Sequence, residues 1–368
     1  MKSVTLSLLQ SAANAFDFGG PVLCDAHHYG EGHINDTFVV WREDHSKRFI
    51  LQRINTDTFT NPVGLMENVC GVTRHLRAKI LAEGGDPARE TLNVIPTLSG
   101  STCYLDADGG AWRAYDFVED TICLQQVGSE TDFRTVAETL GKFQNQLEDY
   151  PASTLHETIA RFHDTPNRYA NFEKALAADA LGRAKNIAPE IEFIHAREKD
   201  CHVLLDQLAA GEIPLRVTHN DTKINNVLID AATGKGICVI DLDTVMPGLS
   251  AYDFGDSIRF GANHCAEDEA DLSKVNFSME LFEIYTKGFL QAAGEAFTPL
   301  EKQTLPWGAK LMTMECGMRF LSDYLEGDHY FHINYEQQNL NRARTQFKLT
   351  SGMEENWDAM QKVIEKYC

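Results

Sequence analysis

Two periodicities of apolar residues divide the chain into a strand-rich part and a helix-rich part. The segment KRFILQRIN alternates with a period of two, so Phe49, Leu51 and Arg53 share one face of a predicted strand. The segment TCYLDADGGAWRAYDFV predicts a hairpin, because Asp-Gly-Gly forms a turn between two such runs. From about residue 119 onward the apolar spacing is mainly helical. We therefore predict an α+β chain with a small antiparallel sheet followed by a larger helical part.

Helical spacing also occurs twice within the N-terminal part. Val4, Leu8, Ala12 and Phe16 share one face of a predicted first helix, and NPVGLMENVCGVTRHLRAKIL predicts another with Pro62 near its first turn. The segment from Tyr115 to Asp120 is the expected connection between two lobes. We predict an N-terminal lobe of residues 1–118 and a C-terminal lobe of residues 119–368. A cleft between such lobes is a natural place for a ligand.

Composition narrows the class of protein. The 368 residues are 43% hydrophobic, which is enough for a sizeable core. The net charge of -21 argues against a nucleic-acid or anionic-membrane partner, and we expect a small-molecule substrate instead. The nine cysteines form no C-x-x-C pair and no run of about 18 apolar residues occurs. We expect reduced thiols, a cytoplasmic location, and a monomer or weak homo-oligomer.

The stretch VTHNDTKINNVLID carries the most specific polar pattern. The short apolar runs on either side of DAATGKG predict a hairpin, and antiparallel pairing would bring Asn226 beside Asp241 at one end of it. Two oxygen ligands suit Mg²⁺, which completes its shell with phosphates and water. Asp221 precedes Asn226 by five residues and is placed to take the proton of an attacking hydroxyl. The pattern predicts phosphoryl transfer from ATP with Mg²⁺.

Other polar residues around this motif compete for roles. A literal Asp-Phe-Gly begins at Asp253, and this tripeptide binds the metal in protein kinases. Asp253 lies beyond the hairpin and a Pro-Gly turn, so we predict that it supports the loop and the following helix. His219 is expected to hold the loop by a hydrogen bond. Asp243 is a secondary candidate for the metal or a water, and Lys223 is a candidate contact for the transferred phosphate.

THNDTKINNVLID with VIDLDT resembles the aminoglycoside phosphotransferase and choline kinase superfamily, which has a protein-kinase-like bilobal fold. YGEGHINDTF, ILQRIN, FHDTPNR, YDFGDSIRFGA and MECGMRFLSDYLEGDHYF extend the likeness to the N-acetylhexosamine 1-kinases within it. The resemblance implies ATP-dependent phosphorylation of the anomeric hydroxyl of N-acetylglucosamine or N-acetylgalactosamine, giving the sugar 1-phosphate and ADP. The alternatives are another small-molecule kinase, acting on choline, an aminoglycoside or another sugar, and a non-catalytic nucleotide-binding pseudokinase.

The nucleotide is expected to contact the N-terminal part. Gly30 and Gly32 in YGEGHIN would let backbone N–H groups approach the ATP phosphates. Protein kinases carry a lysine on the next strand, and here Arg53 or Gln52 would take its place; an arginine binds phosphate through two parallel hydrogen bonds. The backbone of Asp116–Val118 is the candidate contact for adenine.

The acceptor sugar is expected to contact hydrogen-bonding side chains and an aromatic wall. Arg319 and Asp323 lie four residues apart on a predicted helix, so a plain salt bridge between them is the alternative to a role for Arg319 in binding. The resemblance implies that Arg319 and Tyr330 contact the sugar and that His33 and Asn35 reach either the sugar or the phosphate. Arg259 and Asp221 are further candidate substrate contacts.

Overall fold

The computed structural model describes residues 4–30, 32 and 34–368, so the predicted contact from His33 lies outside the described residues. The chain divides into two compact units. The first unit comprises Met1–Ile122, Asp149–Ala160 and Leu228–Met246. The second unit comprises Cys123–Glu148, Arg161–Val227 and Pro247–Cys368. The lobe boundary at residue 118 stays a prediction.

The first unit contains the antiparallel sheet that the alternating segments predict. Its strands, with the two helices that accompany them, are α1 (Leu6–Ala13), β1 (Val22–Cys24), β2 (Asp36–Arg42), β3 (Arg48–Ile54), α2 (Pro62–Ala82), β4 (Val94–Ile95), β5 (Tyr104–Leu105) and β6 (Ala111–Asp116). The sheet runs in the order β1-β2-β3-β6-β4, and β5 pairs with the start of β6. The short strand β7 (Thr121–Cys123) follows and belongs to a second sheet.

Local sequence explains where these elements begin and what they bury. The Asn61 side chain accepts a hydrogen bond from the Gly64 N–H, and Pro62 occupies the first turn of α2. An N-cap side chain and a proline in the first turn are both typical of a helix start. Helix α1 contributes Leu9 to a core that also holds Phe38 and Leu51, and all three side chains are fully buried. Of the predicted helix face, Ala12 is fully buried and Leu8 is partly buried, whereas Val4 and Phe16 lie outside the bounds of α1. The face of β3 that carries Phe49 and Leu51 is buried, as its alternation predicts.

Four further strands lie later in the chain, and two of them form the hairpin predicted around DAATGKG. They are β8 (Arg216–Thr218), β9 (Val227–Asp230), β10 (Gly236–Val239) and β11 (Met246–Gly248). Strands β9 and β10 are neighbours in a small sheet of order β10-β9-β7, and the Asp230 N–H donates to the Lys235 carbonyl at 2.8 Å across the turn. Strand β11 pairs with β8.

The second unit is mainly helical. Its helices are α3 (Glu130–Gln146), α4 (Thr165–Ala178), α5 (Ala188–His195), α6 (Val203–Ala209), α7 (Ser250–Gly261), α8 (Met279–Ala293), α9 (Pro299–Glu326), α10 (Gln338–Glu355) and α11 (Trp357–Tyr367). Helix α9 packs against α4, α7 and α10, and α3 packs against α8. Within the described residues, no helix is both long and apolar enough to cross a membrane.

Glycine allows helices α7 and α9 to approach closely. A Cβ on Gly255 would lie 2.2 Å from the Gly308 carbonyl oxygen, and a Cβ on Gly308 would lie 2.0 Å from the Ala251 carbonyl oxygen. Neither position can carry a side chain without moving a helix backbone. This contact fixes α7, which supports the loop described next.

Candidate active site

The loop of residues 219–226 connects β8 to β9 and lies against helix α7. The side chains of Thr218, His219, Asn220 and Thr222 are buried. Asn220 has a left-handed backbone conformation, with φ of 64°, which Asn tolerates better than most residues. The Thr218 hydroxyl donates to the Asn220 side-chain oxygen at 2.9 Å, so the turn is stabilised locally as well.

Asp253 holds the backbone of the 219–226 loop. Its carboxylate accepts the N–H groups of His219 at 2.9 Å and Asn220 at 2.7 Å, and it also accepts a hydrogen bond from the Gln144 amide. The Thr222 hydroxyl donates to the Asp253 carbonyl at 2.5 Å. Burial raises the pKa of Asp253 even though these donors favour the carboxylate. Asp253 is 1% exposed and lies inside α7, where its oxygens already have protein donors.

The His219 side chain contacts the loop itself. Its Nδ1 accepts the Asp221 N–H at 3.3 Å, and its ring packs edge-on against Phe143 with centroids 6.1 Å apart. On its other side the loop contacts His163, whose Nε2 lies 2.9 Å from the Asn220 carbonyl oxygen. The sequence FHDTPNR drew attention to this segment without indicating a role for His163.

Asp221 is partly exposed and pairs with a lysine two residues away. The Lys223 ammonium lies 2.7 Å from Asp221 Oδ1, and the Asp221 side chain is 23% exposed. Burial opposes ionisation of Asp221, but the charges of Lys223 and Arg259 outweigh it and hold the pKa of that carboxyl below its ordinary value. The group is therefore an ionised carboxylate near neutral pH, as a proton acceptor requires.

The Asn226 side chain has a defined orientation. Its amide nitrogen donates to the Asp221 carbonyl oxygen at 2.8 Å, and this contact directs the amide oxygen elsewhere. An oriented amide oxygen and a carboxylate are the hard donors that Mg²⁺ prefers, so the chemistry of Asn226 and Asp241 fits this ion. Across the described residues, no group of three or more His, Cys, Asp or Glu side chains is arranged to hold a metal. Mg²⁺ bound together with phosphates needs only one or two protein ligands.

The 241–244 segment follows β10 and begins with a residue in a left-handed conformation. Asp241 has φ of 58° and ψ of 56°, values that Asp, like Asn, adopts more readily than most residues. Two residues on, the buried Asp243 carboxylate pairs with Arg113 and accepts a hydrogen bond from the Asn35 amide at 2.6 Å. Asp243 thus has protein donors on both oxygens, which disfavours its secondary role as a metal ligand.

Strand register places Arg53 and Arg113 on opposite faces of the sheet. Gln52 pairs with Arg113 across β3 and β6, and Arg53 pairs with Trp112. Successive side chains point to opposite faces of a sheet, so Gln52 and Arg113 share one face. Arg113 donates to Gln52 at 2.9 Å and is 1% exposed, whereas Arg53 lies with its guanidinium 5.9 Å from the Trp112 ring.

Sequence reasoning did not find Arg113. The available signal is a charged residue inside the apolar strand AWRAYD. Every residue of this strand except the last is buried in the structure. A buried charge in such a strand needs a partner, because an isolated charge is too costly to remove from water. The role of Arg53 in phosphate binding stays a prediction.

The glycine turn before β2 is open. Gly30 has φ of +81°, which glycine adopts readily, and a Cβ at Gly30 or Gly32 would meet no atom within 4 Å. In the expected adenine segment, the Asp116 N–H donates to the Asn93 carbonyl at 3.0 Å, and the Val118 carbonyl accepts the Thr121 hydroxyl at 3.1 Å. Two of the backbone groups considered for the base are therefore already used within the protein.

Arg319 lies among aromatic rings. Its guanidinium carbon is 5.9 Å from the ring centroid of Phe162, 5.8 Å from that of Tyr330 and 5.4 Å from that of Phe331. The Asp323 carboxylate instead accepts the backbone N–H groups of residues 329, 330 and 331. In the part of the chain that the structure describes, Arg319 forms no salt bridge, so the expected alternative of a pair with Asp323 is wrong.

Tyr330 and Arg259 differ in exposure. The Tyr330 side chain is 67% exposed, and its backbone N–H is held by Asp323. Arg259 is buried in α7 and donates to Asp256 at 2.8 Å and to Glu267 at 3.1 Å. Tyr330 is thus accessible to a ligand, whereas Arg259 is held by two carboxylates and acts on Asp221 through its charge.

A family model described as the phosphotransferase enzyme family matches residues 25–284, which is more than half of the chain. The matched range includes the glycine turn, the 219–226 loop, the 241–244 segment and helix α7. It ends before α9, so Arg319 and Tyr330 lie outside it.

Several solved structures have a similar fold. The microcompartment-associated aminopropanol kinase matches with a TM-score of 0.66 at 17% identity, covering 97% of this chain and 99% of that one. The choline kinase of Cryptosporidium parvum matches with a TM-score of 0.54 at 13% identity, covering 97% of this chain and 96% of that one. A spectinomycin phosphotransferase in complex with ADP and spectinomycin matches with a TM-score of 0.51 at 15% identity, covering 99% of this chain and 98% of that one. These likenesses confirm the predicted α+β, protein-kinase-like fold class.

Proposed function

The chain belongs to the phosphotransferase enzyme family, and from this premise we propose that it transfers the terminal phosphoryl group of ATP to the anomeric hydroxyl of an N-acetylhexosamine. Kinase and phosphotransferase neighbours, one of them holding ADP, support a small-molecule acceptor and an ATP-type donor. The products would be ADP and the sugar 1-phosphate.

Asp221 is the proposed proton acceptor. Its pKa is held below the ordinary value, chiefly by Lys223 against the effect of burial, so the carboxylate is ready to accept the proton as the acceptor hydroxyl attacks phosphorus. The fixed backbone of the loop keeps this carboxylate in one position, and positioning supplies much of the rate enhancement in phosphoryl transfer. Lys223 is a candidate to move from Asp221 to the transferred phosphate.

Asn226 and Asp241 are the proposed protein ligands for Mg²⁺. The Asn226 amide is oriented by its bond to the Asp221 carbonyl, and Asp241 lies two residues after the end of β10 in a left-handed conformation. Mg²⁺ supplies positive charge that offsets the negative charge of the phosphates. Asp243 stays in a supporting role, because Arg113 and Asn35 already occupy its oxygens.

The observation that carries the choice of acceptor is the position of Arg319 among three aromatic rings, with no salt bridge in the described residues. Aromatic faces and an arginine suit a neutral polyhydroxylated sugar with an acetamido group. A quaternary ammonium needs aromatic rings with negative charge, and a resident guanidinium would repel it. The net charge of -21 is the observation that favours the alternative, a cationic acceptor such as an aminoglycoside.

An acceptor panel tests this proposal. The purified protein with ATP and Mg²⁺ is given N-acetylglucosamine, N-acetylgalactosamine, choline, an amino alcohol and an aminoglycoside, and ³¹P NMR identifies each product. We expect an anomeric phosphate on the acetamido sugars. The matched control is the 1-O-methyl glycoside of N-acetylglucosamine, which lacks the reacting hydroxyl and should give no product. Turnover of choline or an aminoglycoside, with none of any acetamido sugar, would overturn the proposal.

A further inference from the structure

His163 lies between the 219–226 loop and helix α9. Its Nε2 is 2.9 Å from the Asn220 carbonyl oxygen, and its Nδ1 is 3.0 Å from Glu315 Oε1. The side chains of His163 and Glu315 are 9% and 2% exposed. Both ring nitrogens therefore have a buried partner from the protein.

Neither partner can donate a hydrogen bond to the ring. A backbone carbonyl only accepts, and an ionised carboxylate only accepts. Burial opposes ionisation of Glu315, but His163, Arg168 and Arg319 outweigh it and hold the pKa of this carboxyl below its ordinary value. A neutral imidazole has one N–H and would leave one contact without a proton, so the two contacts together require the doubly protonated imidazolium.

The surroundings of His163 are consistent with a positive charge. Burial alone would lower the pKa of His163, but Glu315, the Asn220 carbonyl and Asp256 outweigh it and raise that pKa above its ordinary value. The Tyr252 ring packs 5.1 Å from the His163 ring. The charged and titratable side chains around His163 come from three helices and one helix cap. They are Tyr252 and Asp256 of α7, Glu315 and Arg319 of α9, Arg168 of α4, and Asp164 at the start of α4.

The Asn220 residue is held from both sides. Asp253 accepts its N–H at 2.7 Å, and His163 binds its carbonyl at 2.9 Å, while φ stays at the left-handed value of 64°. The next residue is Asp221. A carbonyl released from His163 would allow this peptide to rotate, and the position of the Asp221 carboxylate depends on that peptide.

We propose that His163 is a positioning residue for phosphoryl transfer, which as an imidazolium holds the Asn220 carbonyl and thereby the Asp221 carboxylate in place. This inference rests on the proposed function only for its activity assay, which needs an acceptor. The charged contact is fully present below the ordinary pKa of histidine and is lost as the pH rises through the raised pKa of His163. Wild-type kcat therefore declines on the alkaline side as His163 loses its proton.

Two amide variants separate the two contacts of His163. In His163→Gln the side-chain amide reaches the position of Nε2 and donates to the Asn220 carbonyl. In His163→Asn the shorter amide reaches the position of Nδ1 and donates only to Glu315. We expect His163→Asn to lower kcat about a hundredfold, the cost of a misplaced catalytic group, with an unchanged KM for ATP. His163→Gln should retain most of kcat and lose the alkaline decline, because an amide does not titrate.

Histidine NMR tests the charge without a substrate. The ring resonances of His163 are assigned by their absence in His163→Gln, and their titration in the wild-type protein gives the pKa directly. His195→Gln, which removes a half-exposed pair with Glu173, is the control for both assays.

The outcomes are distinct from those of the acceptor panel. A pKa above the ordinary value, with rescue by Gln and not by Asn, supports the inference. A neutral His163 at pH 7, or equal loss of kcat in both variants with an unchanged pH profile, overturns it. Absence of turnover on every acetamido sugar concerns the proposed function, because the NMR titration needs no acceptor.

Discussion

The 219–226 loop and the 241–244 segment both contain an acid proposed for chemistry, but they are held in different ways. The loop is held from outside, since Asp253 and His163 bind its backbone and leave Asp221 paired with Lys223. The 241–244 segment is held through its own side chain, because Arg113 and Asn35 bind Asp243. In each region one buried carboxylate, Asp253 or Asp243, is held by several protein donors, and another, Asp221 or Asp241, is proposed to act.

The largest effect is expected at Asp221, the acid that the comparison assigns to catalysis. Asp221→Asn keeps the size of the side chain and removes the proton acceptor, so kcat should fall about 10³-fold while ATP still binds. Turnover and calorimetric ATP binding are measured on the same preparation. Asp271→Asn, at an exposed acid beside Ser273, is the control and should keep wild-type kcat. Full activity in Asp221→Asn would show that the proton acceptor is another group.

Breaking the buried ion pair of Arg113 and Asp243 should have the largest effect on stability. Arg113→Met leaves Asp243 buried without its cation, and the free energy of unfolding should fall by about 3–5 kcal/mol. Urea unfolding measures this change. Lys274→Met removes an exposed cation beside Asp271 and should change stability by about 1 kcal/mol or less. Similar losses in both variants would contradict the supporting role of Asp243.

Asp253 tests whether the loop is held from outside. Asp253→Asn replaces one accepting oxygen by an N–H donor facing the backbone N–H groups of His219 and Asn220, so stability should fall by about 1–3 kcal/mol. The Mg²⁺ concentration that gives half-maximal activity should change little. Asp241→Asn is the matched variant, for which we expect the opposite: a raised Mg²⁺ requirement and nearly normal stability. A selective rise in the Mg²⁺ requirement of Asp253→Asn would mean that the metal ligand had been assigned to the wrong acid.

The smallest effect concerns the pH dependence of Asp221. The pKa of this carboxyl is lowered in the folded protein against the effect of burial, with Lys223 as the main cause. Lys223→Gln should therefore move the acid limb of kcat/KM to higher pH, with about a tenfold loss below the limb for each pH unit moved. Lys223→Arg keeps the charge and should keep the limb near its wild-type position. An unmoved limb in Lys223→Gln would remove Lys223 as the cause of the low pKa.

Features with a local cause could be predicted from the sequence. The β5–β6 hairpin follows from Asp-Gly-Gly between alternating runs, and the start of α2 follows from Asn61 and Pro62. The fold class was predictable for the same reason. The order and content of the 219–226 loop were also readable, because its polar residues lie within fourteen positions of one another.

The supporting contacts could not be predicted, because they join distant parts of the chain. His163 and Glu315 are 152 residues apart, and Arg113 and Asp243 are 130 apart. Their pairing depends on helix packing and strand register, which a single sequence does not specify. For the same reason the i,i+4 spacing of Arg319 and Asp323 suggested a salt bridge, whereas Asp323 is occupied by the backbone of residues 329–331.

The most direct test of the central claim follows the oxygen that attacks phosphorus. N-acetylglucosamine labelled with ¹⁸O at the anomeric position is incubated with the protein, ATP and Mg²⁺, and the product is observed by ³¹P NMR. Attack by the sugar hydroxyl, with its proton passing to Asp221, keeps the label between carbon and phosphorus, so we predict an isotope-shifted resonance of the sugar 1-phosphate. A product without the shift, formed under conditions where the free sugar keeps its label, would contradict the account.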